Sequence, residues 1–279
     1  MLGTAIIVFR EVLEAALIVG IVMTACKGVA GRDLWVGAGI LGGIVGAAVV
    51  AEFASSIADA VEGMGQEVFN AAILGLAVAM LGWHLVWMAR HGRDLAVQAT
   101  SLGKAVVAGT RPLYALAVAV GVAVLREGSE TVLFVYGIAA TGGEGAAAML
   151  AGGALGLAAG VAVGAGLYAG LLRIPTRHLF TVTNWMVLLL AAGMAAQAAG
   201  FLVQADLLPP LGTDLWDTSG VLSEQSVLGK LLHTLVGYVS RPAGIQVVFY
   251  VATLLVIAAL MQTVGKSAPL QRGAAKRAA

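Results

Sequence analysis

The sequence predicts an all-α integral membrane protein of seven transmembrane helices, built as two inverted three-helix repeats plus a C-terminal helix, with the N-terminus outside and the C-terminus in the cytoplasm. Three observations carry that expectation. Of 279 residues, 60% are hydrophobic and 11% charged, and the mean hydropathy is +0.95, well outside the soluble range. Apolar stretches of bilayer-spanning length recur seven times. One charged pentad, Arg10-Glu11-Val12-Leu13-Glu14, returns as Arg126-Glu127-Gly128-Ser129-Glu130, each time inside an apolar stretch.

The stretches cover residues 2–25, 34–53, 68–89, 112–140, 146–172, 179–203 and 245–264. No charged region precedes the first and no small-residue cleavage pattern cleanly ends it, so it is expected to be a retained helix rather than a signal peptide. In the second, Gly39 with Gly43 and Gly42 with Gly46 form small-xxx-small stripes, as do Gly152, Gly156, Gly160 and Gly164 in the fifth. Such stripes permit close helix packing. Between the sixth and seventh lies a polar loop that opens on Pro209 and Pro210, and its part 227–239 is apolar enough for a short helix on or dipping into the membrane. The chain reads as a single membrane domain, 1–279: repeat 1 about 1–92, repeat 2 about 112–205, an outer loop 206–241, a last helix about 243–265 and a basic, disordered cytoplasmic tail 266–279, with no soluble domain attached.

Charge placement orients these segments. Lys27 and Arg32 follow the first stretch, Arg90, Arg93, Lys104 and Arg111 the third, Arg173 and Arg177 the fifth, and Lys266, Arg272, Lys276 and Arg277 the seventh, twelve of the sixteen basic residues. The other loops hold only Lys230 and Arg241, but carry Glu52, Asp59, Glu62, Glu67, Glu144, Asp206, Asp214, Asp217 and Glu224. The positive-inside rule therefore places those acidic loops outside and both termini as stated. The pentads then lie in helices of opposite direction. Glu14 is roughly 18 Å and Glu130 roughly 15 Å from the outer ends of their helices, both near mid-membrane.

In a helix, Glu11 and Glu14 share a face with Arg10, and Glu127 and Glu130 share one with Arg126. Charges in lipid cost several kcal/mol unless paired, hydrated or bound to an ion. The four carboxylates offer hard oxygen donors, and with two arginines the cluster carries a formal charge of −2, suited to a highly charged cation. Partial neutralisation by arginine keeps affinity moderate, as a permeant ion requires. The competing reading is that each arginine merely pairs with its own glutamates and locks helices together. The single Cys26 excludes an internal disulfide and a cysteine-cluster metal site. A net charge of +1 gives no reason to expect a nucleic-acid partner.

The pentads resemble the paired R-E-x-x-E motifs of the iron permeases of the fungal high-affinity, oxidase-linked type and of their bacterial EfeU-like relatives. Leu215-Trp216-Asp217-Thr218-Ser219, with Glu224, Ser226, Gly229, Gly237-Tyr238, Pro242 and Gln246, is similar to that family's loop into its last helix, as is Trp83-His84, Trp87-Met88 and His91-Gly92-Arg93 to its third helix. The likeness covers nearly the whole chain. The first motif has Val12-Leu13 where Gly-Leu is common in the family. The resemblance implies a bacterial inner-membrane iron transporter, not an enzyme, in which Glu11, Glu14, Glu127 and Glu130, with Arg10 and Arg126, match the iron-binding motifs. It implies uptake of Fe3+ or Fe2+ from periplasm to cytoplasm, with iron as substrate and no permanently bound cofactor. It also implies a separate periplasmic iron-binding or redox partner, whether cupredoxin-like, peroxidase-like or a multicopper oxidase.

Other residues are weighed beside these. Glu67 and Asp217 are the preferred outer-mouth acids, against the reading that all the loop acids are simply solvated. His84 and His91 share a face of the third helix and are expected to be ordinary hydrogen-bonded or interfacial histidines rather than ligands. Met80, Met88, Met186 and Met194 are expected to pack, Tyr136 and Gln197 to be able to line a path, and Trp35, Trp87, Trp185 and Trp216 to be interfacial belt residues. Two further functions stay open: a permease for another cation such as manganese or lead, and a non-transporting membrane anchor of a periplasmic redox complex. No phosphate-binding loop supports direct ATP use, and no paired-histidine zinc motif supports proteolysis.

Overall fold

The computed structural model describes residues 1–61, 66–140, 145–170, 176–224 and 226–266. Among them it holds eight helices and no strand: α1 (Leu2–Ala25), α2 (Arg32–Val61), α3 (Gln66–Val107), α4 (Tyr114–Ala140), α5 (Ala146–Tyr168), α6 (Thr176–Gln204), α7 (Val227–Val236) and α8 (Gly244–Lys266). The chain is thus a helical membrane protein. Five described stretches, Arg32–Phe53, Gln66–His91, Ala146–Tyr168, Phe180–Gln204 and Gly244–Val264, are long and apolar enough to cross a bilayer. α1 and α4 match them in length, but each pentad puts three charges into its helix.

Glycine decides how the helices meet. Between α1 and α2 the chain turns through Gly28 and Gly31, both at positive φ of 90° and 80°, which a side chain would resist. The Arg32 guanidinium then donates to the Met23 carbonyl at 2.9 Å, tying the start of α2 to the end of α1 as the chain reverses. Along α2, Gly39 abuts Ala117, Gly43 abuts Val124 and Ala47 abuts Gly128, so the numbers rise together and α2 lies parallel to α4. α5 lies parallel to α1 in the same way, with Gly156 on Ala5, Gly160 on Val12 and Gly164 on Ala16. It follows that α1 and α4 run antiparallel.

These contacts are tight. A Cβ at Gly39 would fall 2.6 Å from the Ala117 carbonyl oxygen, and one at Gly160 would fall 2.8 Å from Val12 Cβ. Of the predicted stripe positions, Gly42 alone faces open space.

α3, α6 and α8 complete the bundle around a core of Ile7, Leu74, Leu81, Leu85, Phe134, Leu188, Met194 and Ile257. Met80 packs against that core, as expected for a membrane methionine. A second core of Val22, Cys26, Val36, Ala99, Val106 and Leu116 closes the other end.

The third element corrects the sequence reading. The end of the apolar stretch at residue 89 predicts a basic loop from residue 90, but α3 continues to Val107 as a 42-residue helix. At 1.5 Å per residue this is roughly 63 Å, about twice the hydrocarbon thickness. The apolar run ends near residue 89, but Ala, Leu, Gln and Lys are good helix formers in water too. Ala99 and Val106 then pack on α1 and α2. Near residues 227–239, α7 is the expected short helix, capped by the Ser226 hydroxyl accepting from Gly229 N–H and ended by Gly237 at φ 70°. Glu62, Glu144, Arg173 and the tail 267–279 lie outside the described residues, as does the side chain of Asp59.

Candidate metal centre

Glu11 lies nine residues into α1, and Glu127 thirteen residues from either end of α4. In α1 the helical period turns Arg10, Glu11 and Glu14 inward with Ile7 and Leu13, and all five are buried. In α4 the same period turns Glu127 and Glu130 toward them, with Glu127 buried and Glu130 18% exposed. α3 supplies the third side: His84, 3% exposed, stands edge-on to Phe134 with ring centroids 6.3 Å apart.

The cluster is bound together across helices. Arg10 reaches Glu11 Oε1 at 2.7 Å through Nη1 and Glu14 Oε1 at 2.9 Å through Nη2. His84 Nδ1 contacts Glu130 Oε2, and His84 Nε2 lies 3.8 Å from Glu14 Oε1. Arg126 Nε donates to Glu130 Oε1 at 3.0 Å, and its guanidinium lies over the Trp87 ring. Buried charge survives here only because each carboxylate has a cation or a histidine beside it.

Glu11, His84, Glu127 and Glu130 each present one potential ligand atom, and the four atoms lie within 4.8 Å of one another. Glu11 Oε2 and Glu127 Oε2 are buried and accept no hydrogen bond from the chain. Buried acceptors of this kind normally have a partner, and a cation would supply one to both. The chemistry is three carboxylates and an imidazole, a mixed oxygen and nitrogen set that suits a borderline divalent ion.

The geometry rearranges the predicted site. All four motif glutamates converge, but Glu14 turns to Arg10 while His84 takes its place in the tightest group. His84, expected from the sequence to be an ordinary hydrogen-bonded or interfacial histidine, joins the group that could hold an ion. The signal was present: an ionisable side chain inside a spanning helix, the same rule that picked out the glutamates. Trp87, expected as a belt residue, carries Arg126 over its ring and stacks on His91, ring centroids 4.8 Å apart.

An apolar cleft of about 640 Å³ between α1, α2, α4 and α5 reaches the cluster, with Glu11, Glu127 and Thr131 as polar members of a wall of Val12, Val124 and Leu157. The acids expected at an outer mouth stand apart from it. Glu67 is exposed in the first turn of α3. Asp217 is exposed and engaged: Ser219 donates to Oδ1 through both its hydroxyl and its backbone N–H, and Arg241 meets Oδ2 at 2.8 Å. Those hydrogen bonds, the Ser219 hydroxyl first, hold its carboxyl down at about 2. Glu224 accepts from Ser240 N–H. Gln197 meets His233 of α7.

The model of the iron permease FTR1 family matches residues 1–268. A ferrous iron permease EfeU of Shigella sonnei is 32% identical over 270 residues, which cover 94% of this chain and 97% of the relative, and one from Escherichia coli O157:H7 matches equally. The EfeU of Yersinia pestis is 31% identical over 254 residues, 90% of this chain and 89% of its own. No solved structure matches.

Proposed function

The chain belongs to the iron permease FTR1 family, and on that premise we propose that it carries ferrous iron inward across the bacterial inner membrane through the cluster of Glu11, His84, Glu127 and Glu130. The observation that carries the reading is the meeting of four ligand atoms, from three buried residues and the partly buried Glu130 on three helices, within 4.8 Å at mid-bundle. Imidazole beside carboxylates favours Fe2+ over the harder Fe3+, in keeping with the ferrous iron named for the relatives.

Two arginines set how tightly the ion is held. With iron absent, Arg10 and Arg126 neutralise the carboxylates from either side; with iron present, the ion takes over Glu11 and Glu127, whose second oxygens are free to bind it. Moderate affinity lets it leave. The crossed packing, α2 on α4 and α5 on α1 with α1 and α4 antiparallel, supports two inverted units about the site. Basic residues after the first, third, fifth and seventh stretches support an outside N-terminus, hence seven spans and a periplasmic mouth. Iron is received there from a separate periplasmic iron-binding or redox protein. Glu14 is a holding residue that keeps Arg10 in place, and Glu67 is an outer-mouth acid.

Purified protein in liposomes tests this. Wild type should take up Fe2+, manganese should compete weakly, and Glu127→Gln should lose at least tenfold of the flux with the fold intact. Wild-type flux in Glu127→Gln would overturn the site.

A further inference from the structure

The two helix pairs leave a seam between them. α5 packs on α1 and α2 on α4, and α1 meets α4 in the middle, but no comparable contact joins α2 to α5. The cleft of about 640 Å³ occupies that seam. Its head lies at the metal cluster, where Glu11 and Glu127 line it and Ala47 closes on Gly128, so that a Cβ on Gly128 would fall 2.7 Å from Ala47 Cβ. From there it runs toward the end of the bundle where α1 stops and α2 begins, past Met23 of α1, Ile40 of α2 and Tyr168, the last residue of α5. Tyr168 stands level with Gly20 of α1, 3.7 Å from a Cβ built there. From Glu11 to Met23 is about 18 Å along a helix, close to the roughly 15 Å of hydrocarbon in one leaflet of a bilayer.

The walls decide what can fill such a space. Glu11 and Glu127 are 1% and 2% exposed, so little of either is open to an occupant. The Thr131 hydroxyl is already spent on the Glu127 carbonyl at 2.8 Å. The rest, the Tyr168 hydroxyl at the mouth apart, is hydrocarbon or glycine. Water there would lack the two to four polar partners that hold it, and an empty cleft would forfeit the dispersion contacts of its lining. The mouth is different. Lys27 is exposed one turn beyond Met23, and Arg32 donates to the Met23 carbonyl with Asp33 3.4 Å from its Nε. Two cations and one acid leave the mouth positive. Trp35 and Tyr168, both exposed, stand there as interfacial aromatics do.

We infer that the cleft is a phospholipid site: one acyl chain of an anionic phospholipid lies along it, with its phosphate against Lys27 and Arg32 and its chain end beneath Glu11 and Glu127. A basic mouth at the surface of an apolar slot one leaflet long matches that molecule at both ends. The bound chain closes the seam and keeps water from the cluster on that side, where a dry surround strengthens each ion pair. The inference needs a bilayer around the protein, not iron passing through it.

Full-length protein reconstituted in phosphatidylethanolamine and phosphatidylglycerol, then moved into detergent, should keep one phosphatidylglycerol in native mass spectra. Val161→Trp, which fills the cleft from α5, should lose it; if that variant fails to insert, Ile44→Trp on the α2 wall must show the same loss. Lys27→Gln should cut the preference for phosphatidylglycerol over phosphatidylcholine about fivefold. Phosphatidylglycerol carrying a photoreactive diazirine at its chain end should label Val12 or Leu157 in wild type and spare them in Val161→Trp, while the exposed Val248 of α8 is labelled equally in both. No retained lipid, a retained lipid that labels α8 alone, or an unchanged lipid preference in Lys27→Gln overturns the site. So does rapid reaction of Val161→Cys, in a Cys26→Ala chain, with a cationic thiol reagent that cannot enter hydrocarbon, since water would then fill the cleft. Lipid retention by a wild type that carries no iron would remove the uptake reading and leave this site standing.

Discussion

The guanidinium carbon of Arg126 lies 3.8 Å above the centre of the Trp87 ring while its Nε holds Glu130 at 3.0 Å. The arginine is shared between an aromatic face and a carboxylate. Trp87 thereby takes up part of the positive charge that would otherwise fall wholly on Glu127 and Glu130. A cation–π contact of this kind contributes about 0.5–2 kcal/mol. Trp87→Ala should let Arg126 settle onto the carboxylates and compete with iron, raising KM roughly 3- to 10-fold, whereas Trp87→Phe should stay near wild type. Concentration-dependent Fe2+ uptake by the two variants decides it; equal KM in all three proteins would remove Trp87 from the site.

His84 is buried between Glu14 and Glu130. Replacing it by alanine removes a ligand and also leaves two carboxylates with one fewer partner, a change that typically costs about 3–5 kcal/mol for a buried pair. His84→Ala should therefore lose Fe2+ flux as severely as Glu130→Gln, at least tenfold. His91→Ala should lose little, because that ring only stacks on Trp87 and meets the Trp87 carbonyl. Iron-binding stoichiometry in detergent separates lost ligation from lost folding.

What the sequence made legible follows the strength of each physical signal. The pentads were readable because three charges inside an apolar helix have few explanations, and the helical period fixes which of them share a face. The glycine stripes on α2 and α5 were readable as packing surfaces, though not their partners. The end of α3 was not readable, because leaving the membrane changes hydropathy without breaking a helix. An ionisable side chain inside a spanning helix flagged His84, but not that it would stand in the tightest group where Glu14 was expected. That placement depends on how deeply α3 slides beside α1 and α4, a relation set by Leu81, Leu85 and Phe134 packing across three helices.

The two glycine stripes of α2 separate packing from propensity. Gly39 is wedged against the Ala117 carbonyl, while Gly42 faces open space. Both lie within the same helix, so their intrinsic helix propensities are equal. Gly39→Ala must push α2 away from α4 and should destabilise by about 1–3 kcal/mol. Gly42→Ala meets nothing and should be neutral or stabilising by up to about 1 kcal/mol. Thermal unfolding in detergent measures the contrast, and equal melting temperatures would contradict the tight α2–α4 contact.

Asp217 supplies a pH-dependent tie in the loop between α6 and α8. Its carboxyl is held at about 2 by Ser219 and Arg241, below its ordinary 3.8. The depressed value means that the charged form stabilises the folded loop. That contribution is present in full above about pH 4 and fades as pH falls through 2. Both partners are exposed, so the effect is small and weakened by salt. At pH 7, Asp217→Asn should speed amide exchange in residues 217–241 severalfold, and near pH 2 the difference from wild type should largely vanish. Because both Asp217 oxygens already have partners, one from Ser219 and one from Arg241, the same variant should leave Fe2+ uptake at neutral pH within twofold of wild type. A tenfold loss of uptake would instead place Asp217 on the iron's route into the molecule.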